Sequence, residues 1–202
     1  TQGNGIPRET LRQVLGLLAR AGWKPGSQGL VNEQGQPLRF EILLVNPSLE
    51  RLYQPYIENL NSIGIDARLR TVDRAQYKQR LDQFDFDMIL MTLNQTLSPG
   101  LEQWQYVHSS QAAIKGSKNY AGIANPVVDH LLDQLLAAQT REEQLAAGRA
   151  LDRVLLWQHY SIPNWYLNYH RLAYRNRFAF VTTPPYSLGL SAWWLKASEK
   201  AQ

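Results

Sequence analysis

The first half of the chain alternates between strand-like and helix-like hydrophobic patterns. Residues 38–45 and 65–71 have the period-two alternation of a strand, whereas 49–62 and 73–83 carry helical patterns. A six-residue apolar run from Met88 to Leu93 follows and predicts a strand buried on both faces. Connections of this length predict an α/β fold whose core sheet has three parallel strands, at 38–45, 66–72 and 87–93.

Further elements flank this core. Pro7 and Gly22 bracket an amphipathic helix that ends near Ala21, and the glycine-rich stretch 23–37 predicts a loop with a small hairpin across Val31 to Gly35. Pro55 predicts a late start, near residue 54, or a kink in the 49–62 helix. Two more helices begin after Asn125 and at the capping box of Thr140. Short strands are predicted at 161–167 and 171–174.

Polar residues follow the apolar run where its strand ends. Asn94, Gln95 and Thr96 precede a Ser98-Pro99-Gly100 break, and residues 98–123 show no clear periodicity. Long irregular segments in compact domains are usually functional or mobile, and ligands bind at the carboxyl ends of parallel strands. We therefore expect an irregular excursion that brings Trp104 and Asn119 near Asn94. An ordinary polar exit loop is the alternative.

The composition narrows the class of protein. The 202 residues are 44% hydrophobic, which is enough for a sizeable core. The chain has 21 Lys and Arg and 17 Asp and Glu, which gives a net charge of +4. No basic run marks a nucleic-acid tract, and no apolar run reaches the length of a membrane span. The absence of cysteine excludes disulfides and thiolate catalysis. Because the chain starts at Thr1 without Met, we expect a mature or truncated piece with any targeting segment outside it.

Catalytic patterns are weak. The four histidines have no companions at metal-binding spacing, and no nucleophile elbow or dinucleotide fingerprint occurs. Gly116-Ser117-Lys118 is a poor phosphate-binding loop. Asp82, Asp85 and Asp87 precede the buried strand at its amino end, so a solvated turn explains them better than an acid pair or a metal site. Several aromatic residues lie beside amides and hydroxyls, a mixture that suits either a ligand site or a core.

Five motifs together resemble one family. They are Leu-Leu-x-x-Ala-Gly-Trp from Leu17, the segment from Leu60 to Asp73, Phe-Asp-Met-Ile from Phe86, Gly-Ile-x-Asn-Pro-x-Val-Asp from Gly122, and Ile-Pro-x-Trp-Tyr from Ile162. Their identity and order, over roughly residues 8–196, resemble the C-terminal half of the family 5 solute-binding proteins of oligopeptide and dipeptide ABC importers. The 98–103 and 116–123 segments with Trp193-Trp194 are similar to the branch that includes microcin C and oligopeptide binders.

The resemblance implies a two-lobed periplasmic receptor that closes on its ligand by a hinge, with a fold like the type II periplasmic binding proteins. Residues 1–177 would form most of the C-terminal lobe, and residues 178–202 would cross back to an N-terminal lobe outside this chain. Such a receptor is monomeric, hands an oligopeptide or peptide-like ligand to a membrane permease, and needs neither a cofactor nor nucleic acid. It performs no catalysis.

The sequence departs from the family pattern at one place. Classical oligopeptide binders carry an Asp just after the buried strand to pair with the peptide amine, whereas this chain has Asn94-Gln95-Thr96-Leu97 there. Glu102 is the nearby carboxylate that could replace it. The predicted ligand contacts of this lobe are Asn94, Gln95, Thr96, Glu102, Trp104, Asn119 and Tyr120.

Two other classes of protein stay open on the residues alone. A hydrolase or transferase would use Asp85 or Asp87 and would need a base and a nucleophile in one cleft. A protein-interaction domain would use the aromatic residues between Trp165 and Trp194, and an exposed apolar patch without a cleft would favour it. A bare interface between lobes would expose such a patch as well.

Overall fold

The computed structural model of the chain describes residues 7–27, 29–93, 98–166, 171–180 and 193–196. It divides into two compact units, one made of residues 1–94 and 102–129 and the other of residues 95–101 and 130–202. The predicted boundary at residue 177 stays a prediction. The elements in chain order are α1 Arg8–Arg20, β1 Lys24–Gly26, β2 Gly29–Val31, β3 Arg39–Leu44, α2 Glu50–Ser62, β4 Asp66–Thr71, α3 Arg74–Gln83, β5 Met88–Ile89, α4 Glu102–Val107, α5 Pro126–Ala137, α6 Arg141–Trp157, β6 Phe178–Phe180 and β7 Trp193–Leu195.

The first unit contains the predicted parallel sheet. Its strand order is β4-β3-β5, and both pairings are parallel. Arg39 of β3 lies opposite Asp66 of β4, and Ile42 lies opposite Met88 of β5. The mixed α/β fold and the three parallel strands are therefore confirmed.

The third strand is shorter and more exposed than predicted. Strand pairing stops at Ile89, Met88 and Ile89 are only half-buried, and Met91 and Leu93 are exposed. β5 pairs with β3 alone, so within the described residues it lies at an edge of the sheet. A run of apolar residues indicates a strand but not what covers its two faces, and the predicted burial on both faces was wrong.

The core of this unit lies between one face of the sheet and α2. Ile42, Leu44 and Ala67 from the strands pack with Tyr53 and Ile57 from the helix. Pro55 lies inside α2 without delaying its start, because the helix already begins at Glu50 after a 3-10 turn. Burial of Tyr53 and Ile57, each two residues from Pro55, offsets the hydrogen bond that proline cannot donate.

Caps and turns follow the sequence closely. Asp73 accepts hydrogen bonds from the N–H groups of Ala75 and Gln76 at the start of α3. Thr140 and Glu143 form the predicted capping box at the start of α6. A single antiparallel bridge joins Val31 to Pro37 across the turn at Asn32, and a two-stranded ribbon of β1 and β2 precedes it.

The predicted strands at 161–167 and 171–174 are absent from their described residues, 161–166 and 171–174. Pro163 lacks the N–H that a ladder needs, and a strand-like pattern forms a strand only when a partner edge is available. The later residues instead form β6 and β7, which pair antiparallel. No helix in the described ranges is long and apolar enough to cross a membrane.

Candidate functional site

Four of the predicted contact residues are described, and they fall on two segments of the first unit. Glu102 and Trp104 lie on the short helix α4, whereas Asn119 and Tyr120 lie in the loop that precedes α5. Asn94, Gln95 and Thr96 lie outside the described residues, so the predicted approach of Trp104 and Asn119 to Asn94 stays a prediction. The 98–123 stretch is mostly irregular, as expected, but α4 and a 3-10 helix at Ser109–Gln111 interrupt it.

Asn119 holds this stretch together from inside. Its side chain is fully buried, and its Nδ2 donates to the carbonyl oxygens of His108 and Ile123 at 3.2 and 2.9 Å. Its Oδ1 accepts the N–H of Ile123 at 2.8 Å. Because the amide uses both ends within the protein, Asn119 shapes the loop and does not offer its side chain to a ligand in this conformation.

Ser117 has a similar structural role. Its hydroxyl donates to the carbonyl of Gln111 at 2.7 Å and accepts the N–H of Asn119 at 3.3 Å. Gly116 has a φ of +80°, which favours glycine. The Gly116-Ser117-Lys118 sequence therefore forms a turn, which agrees with its poor match to a phosphate-binding loop.

Trp104 is stacked on His108, one helical turn later. The ring centroids are 3.4 Å apart, and the planes are inclined by only 12°. Asn119 donates a hydrogen bond to the carbonyl oxygen of His108. Two of the predicted site residues, Trp104 and Asn119, therefore both contact His108. Sequence reasoning treated His108 as an ordinary histidine, although the spacing of four residues from Trp104 on a helix was a signal that the two rings could stack.

Asp129 of α5 anchors the same region. Its Oδ1 accepts the N–H of Ser109 at 2.8 Å and lies 3.8 Å from His108 Nε2. Burial alone would raise the pKa of Asp129, but the hydrogen bonds from Ser109 and the nearby imidazole outweigh it and leave the pKa below its ordinary value. Asp129 is thus an ionised acceptor that fixes the 3-10 turn after α4.

Glu102 and Tyr120 are both half-buried. Glu102 Oε1 accepts a hydrogen bond of 3.3 Å from the side chain of Gln103. The ring of Tyr120 meets Phe86 edge to face, with centroids 6.3 Å apart, next to the start of β5. Glu102 on α4 and Tyr120 in the loop before α5 are thus both partly exposed, and the buried hydrogen bonds of Asn119 hold the backbone of that loop.

The segment before α4 is fastened within the second unit. Gln144 of α6 donates to the carbonyl of Pro99 at 3.1 Å, and Arg141 donates to Ser98 Oγ at 3.3 Å. The first two residues of the Ser-Pro-Gly break are therefore held by the first turn of α6.

The acidic cluster before β5 is a structural network. Arg80, only 14% exposed, bonds Glu41 at 2.8 Å and Asp85 at 3.1 Å, while Asp87 accepts the N–H of Glu41 at 2.9 Å. Asp82 pairs with Lys78. Arg80, Glu41, Asp85 and Asp87, but not the Asp82–Lys78 pair, line a cleft of about 530 Å³ that is also lined by Arg39, Arg68 and Arg70. Across the described ranges, no group of three or more metal-ligating side chains is placed to hold a metal ion.

An aromatic cluster forms around the β6–β7 ribbon in the second unit. Trp193 is stacked on Phe180 with centroids 4.4 Å apart, and the ring of Tyr174 meets both edge to face. A cavity of about 630 Å³ with mostly apolar walls lies beside it. Trp165 and Trp194 are exposed.

A family comparison decides the class of protein. Residues 6–114 match the family described as bacterial extracellular solute-binding proteins, family 5 Middle. The chain belongs to this family. The resemblance that the five sequence motifs predicted is thereby confirmed.

Curated relatives extend the match over nearly the whole chain. The probable peptide-binding protein YejA of Agrobacterium fabrum is 41% identical over 190 residues, which are 93% of this chain and 31% of the relative. The peptidoglycan-binding protein YepA of the same organism is 38% identical over 91% of this chain and 29% of its own length. The uncharacterized protein y4wM of Sinorhizobium fredii is 45% identical over 95% of this chain and 29% of its own length. The chain thus spans about a third of the length of these relatives.

Solved structures share the fold. The oligopeptide-binding protein AppA of Bacillus subtilis, in complex with a nonapeptide, superposes with a TM-score of 0.67 at 20% identity, over 92% of this chain and 37% of AppA. A mannohexaose-bound oligopeptide-binding protein of Thermotoga maritima gives a TM-score of 0.67 at 22% identity, over 78% of this chain and 31% of its own. The α/β fold is therefore that of family 5 solute-binding proteins.

Proposed function

We propose that the chain is the C-terminal lobe of a monomeric periplasmic receptor that captures oligopeptides or peptide-like ligands and delivers them to the permease of an ABC importer. The observation that carries the proposal is the identity of 41% to a relative described as peptide-binding, along 93% of the chain. Residues 178–202 would return to the other lobe, and closure of the two lobes would bury the ligand.

The geometry of the 98–123 stretch supports a binding role. Half-buried Glu102 and Trp104 lie on α4, and half-buried Tyr120 lies next to Asn119, whose buried amide fixes the backbone at His108 and Ile123. Such preorganisation lowers the entropy lost on binding. We propose that Glu102, Trp104 and Tyr120 contact the ligand together with Asn94, Gln95 and Thr96, and that Asn119 contributes by holding the loop.

A catalytic role has little support in the described residues. Asp85 is paired with Arg80, and Asp87 caps the N–H of Glu41. Ser110 Oγ lies 2.8 Å from His108 Nδ1, but the N–H of Ser110 donates to the same nitrogen at 3.0 Å. The imidazole therefore acts as a cap for the turn, and Asp129 at 3.8 Å is beyond hydrogen-bond distance. We propose a receptor without catalytic activity.

A peptide-bearing cell-wall fragment is the second candidate ligand. It is favoured by the 38% identity to a relative described as peptidoglycan-binding. Trp104 could offer a flat apolar surface to a sugar ring as well as to a peptide side chain.

One experiment tests both candidates. The full-length receptor is expressed in the periplasm, purified without unfolding, and its co-purified ligand is identified by mass spectrometry. Peptides would support the first candidate, and peptides linked to amino sugars would support the second. Calorimetry with trialanine and with N-acetylated trialanine then measures affinity after the ligand is removed. Recovery of a ligand without any peptide would overturn the proposed function.

A further inference from the structure

The imidazole of His108 is enclosed by groups from three elements. Trp104 of α4 stacks on its face at 3.4 Å, Ser110 of the 3-10 helix lies at Nδ1, and Asp129 of α5 lies near Nε2. The side chain is 15% exposed. Asp129 is the charged group that the described residues place against this ring, since Trp104 and Ser110 are uncharged.

The neutral imidazole fits the contacts at Nδ1. The N–H of Ser110 donates to Nδ1 at 3.0 Å, and Nδ1 can accept this bond only when it carries no proton. The hydrogen of a neutral ring is then on Nε2. In this state His108 caps the 3-10 helix that follows α4, and the turn keeps the geometry that brings the ring under Trp104.

The protonated imidazole would make a different set of contacts. Nδ1 would lose the bond from the N–H of Ser110 but could donate to Ser110 Oγ at 2.8 Å. Nε2 would gain attraction to the Asp129 carboxylate, which lies 3.8 Å away and is already held by the N–H of Ser109. The face of an indole also attracts a cation. Proton uptake therefore exchanges a backbone cap for an ion pair and a stronger stack.

We propose that His108 is a positioning residue for Trp104, and that proton uptake by His108 switches between these two sets of contacts and so changes the indole surface offered to the ligand. The ligand contact of Trp104 rests on the proposed function, whereas the coupling between the two rings does not. Since Asn119 holds the carbonyl of His108, the switch also acts on the loop that carries Tyr120.

The coupling can be measured without a ligand. The indole N–H resonance of Trp104 in the full-length receptor, labelled with ¹⁵N and assigned with Trp104→Phe, is followed from about pH 8 to about pH 5, where imidazole side chains titrate. We expect a clear chemical-shift change that His108→Gln abolishes. His130→Gln, which replaces an exposed histidine on α5, is the matched control and should leave the change intact. A chemical shift that does not change with pH, or one that still changes in His108→Gln, would overturn the proposal.

Affinity provides the second readout. His108→Phe keeps a flat ring for the stack and cannot take up a proton, while His108→Gln keeps a polar group near Ser110, so failure of one variant to fold leaves the other. We expect the affinity of the wild type for trialanine to differ by about threefold or more between pH 7.5 and pH 5.5, within the titration range of imidazole. Neither variant should show this difference. A purely structural role would instead lower affinity by the same factor at both pH values, and that result would overturn the proposal.

The two readouts separate this proposal from the proposed function. If the wild type binds trialanine at neither pH, the proposed peptide-binding function is wrong. The response of the Trp104 resonance alone then decides the role of His108. If the resonance responds as expected and the affinity does not depend on pH, the rings are coupled but Trp104 does not position the ligand, and the proposal fails.

Discussion

The carbonyl oxygen of Gly64 accepts a hydrogen bond of 2.6 Å from the N–H of Leu30. This contact joins the ribbon of β1 and β2 to the turn between α2 and β4. A side-chain carbon built on Gly29 would lie 2.5 Å from the same oxygen, and Gly29 has a φ of +115°. The two backbones thus approach closely at a position that requires glycine.

Gly29→Ala should destabilise the protein by about 2 kcal/mol or more, because it combines a clash with backbone and an unfavourable φ. Gly16→Ala is the matched control, since Gly16 lies inside α1 and the added carbon would meet open space beyond the helix's own backbone. It should stabilise the protein by about 0.5–1 kcal/mol through helix propensity. Urea unfolding measures both changes, and equal effects of the two substitutions would contradict the argument.

Asn119→Ala should cost about 2–4 kcal/mol of unfolding free energy. The substitution leaves the buried N–H of Ile123 without its acceptor and also removes two donated bonds. Asn32→Ala is the control, because half-buried Asn32 also accepts two backbone N–H groups, from Gln34 and Gln36, but water can replace it. This substitution should lower the unfolding free energy by about 1 kcal/mol. Similar losses for both in thermal unfolding would show that burial of Asn119 is unimportant.

Arg80→Met should destabilise the protein by about 3 kcal/mol. The substitution removes the nearer of the two arginines that pair with Glu41, whose side chain is only 24% exposed, and leaves Arg70 at 3.6 Å. It also breaks the bond to the carbonyl of Asp85. Arg39→Met removes an arginine that is 58% exposed and should change stability by at most about 1 kcal/mol. Chemical denaturation compares the two, and a loss for Arg80→Met no larger than that for Arg39→Met would exclude a structural role for the ion pair.

The capping box of α6 predicts a specific pH dependence. The N–H groups of Gln139 and Thr140 donate to Glu143 Oε2 at 2.8 and 3.2 Å, and they lower the pKa of Glu143. A carboxyl whose pKa is lower in the folded state contributes stability above its unfolded pKa of about 4.3, and this contribution is lost as the pH falls through the lower folded value.

Glu143→Gln should therefore be less stable than the wild type at neutral pH, and the difference should shrink as the pH falls below about 4. Glu142→Gln controls for the loss of one negative charge from the same helix turn. Unfolding curves collected across this range provide the measurement. A difference that stays constant from neutral to acidic pH would show that the charge of Glu143 does not contribute.

Much of the architecture could be predicted from local patterns. Asp73, Thr140 and Asn125 start their helices as expected, because a side-chain acceptor next to an apolar repeat is a local signal. The three parallel strands also followed from the spacing of the elements. The length of β5 could not be predicted, because it depends on how many strands lie beside it, and residues 161–166 needed a partner edge that their pattern could not reveal.

The candidate site was only partly accessible to sequence reasoning. Glu102, Trp104 and Tyr120 were chosen for their chemistry, and the structure places them on the predicted stretch with partial exposure. The buried role of Asn119 depends on bonds to backbone groups four and eleven residues away, and no pattern of residue types encodes these. The contact of His108 with Ser110 is local, but its approach to Asp129 arises only when the turn and α5 come together, and no pattern of residue types predicts it.

Glu102 offers the sharpest test of ligand chemistry. In a closed receptor, a desolvated carboxylate paired with a ligand amine can contribute several kcal/mol, whereas an exposed pair contributes about 0–1 kcal/mol. Glu102→Gln keeps the shape of the side chain and removes its charge. It should weaken the binding of trialanine by about tenfold or more, and it should leave N-acetylated trialanine within about twofold of the wild type, since the acetylated peptide has no cationic amine to lose.

Glu33→Gln, at an exposed position in the turn after β2, is the matched control and should affect neither peptide. Calorimetry on the full-length receptor measures all six combinations. Equal losses for the two peptides in Glu102→Gln would show that Glu102 is not the amine partner, and the polar residues Asn94, Gln95 and Thr96 would then be the next candidates for substitution.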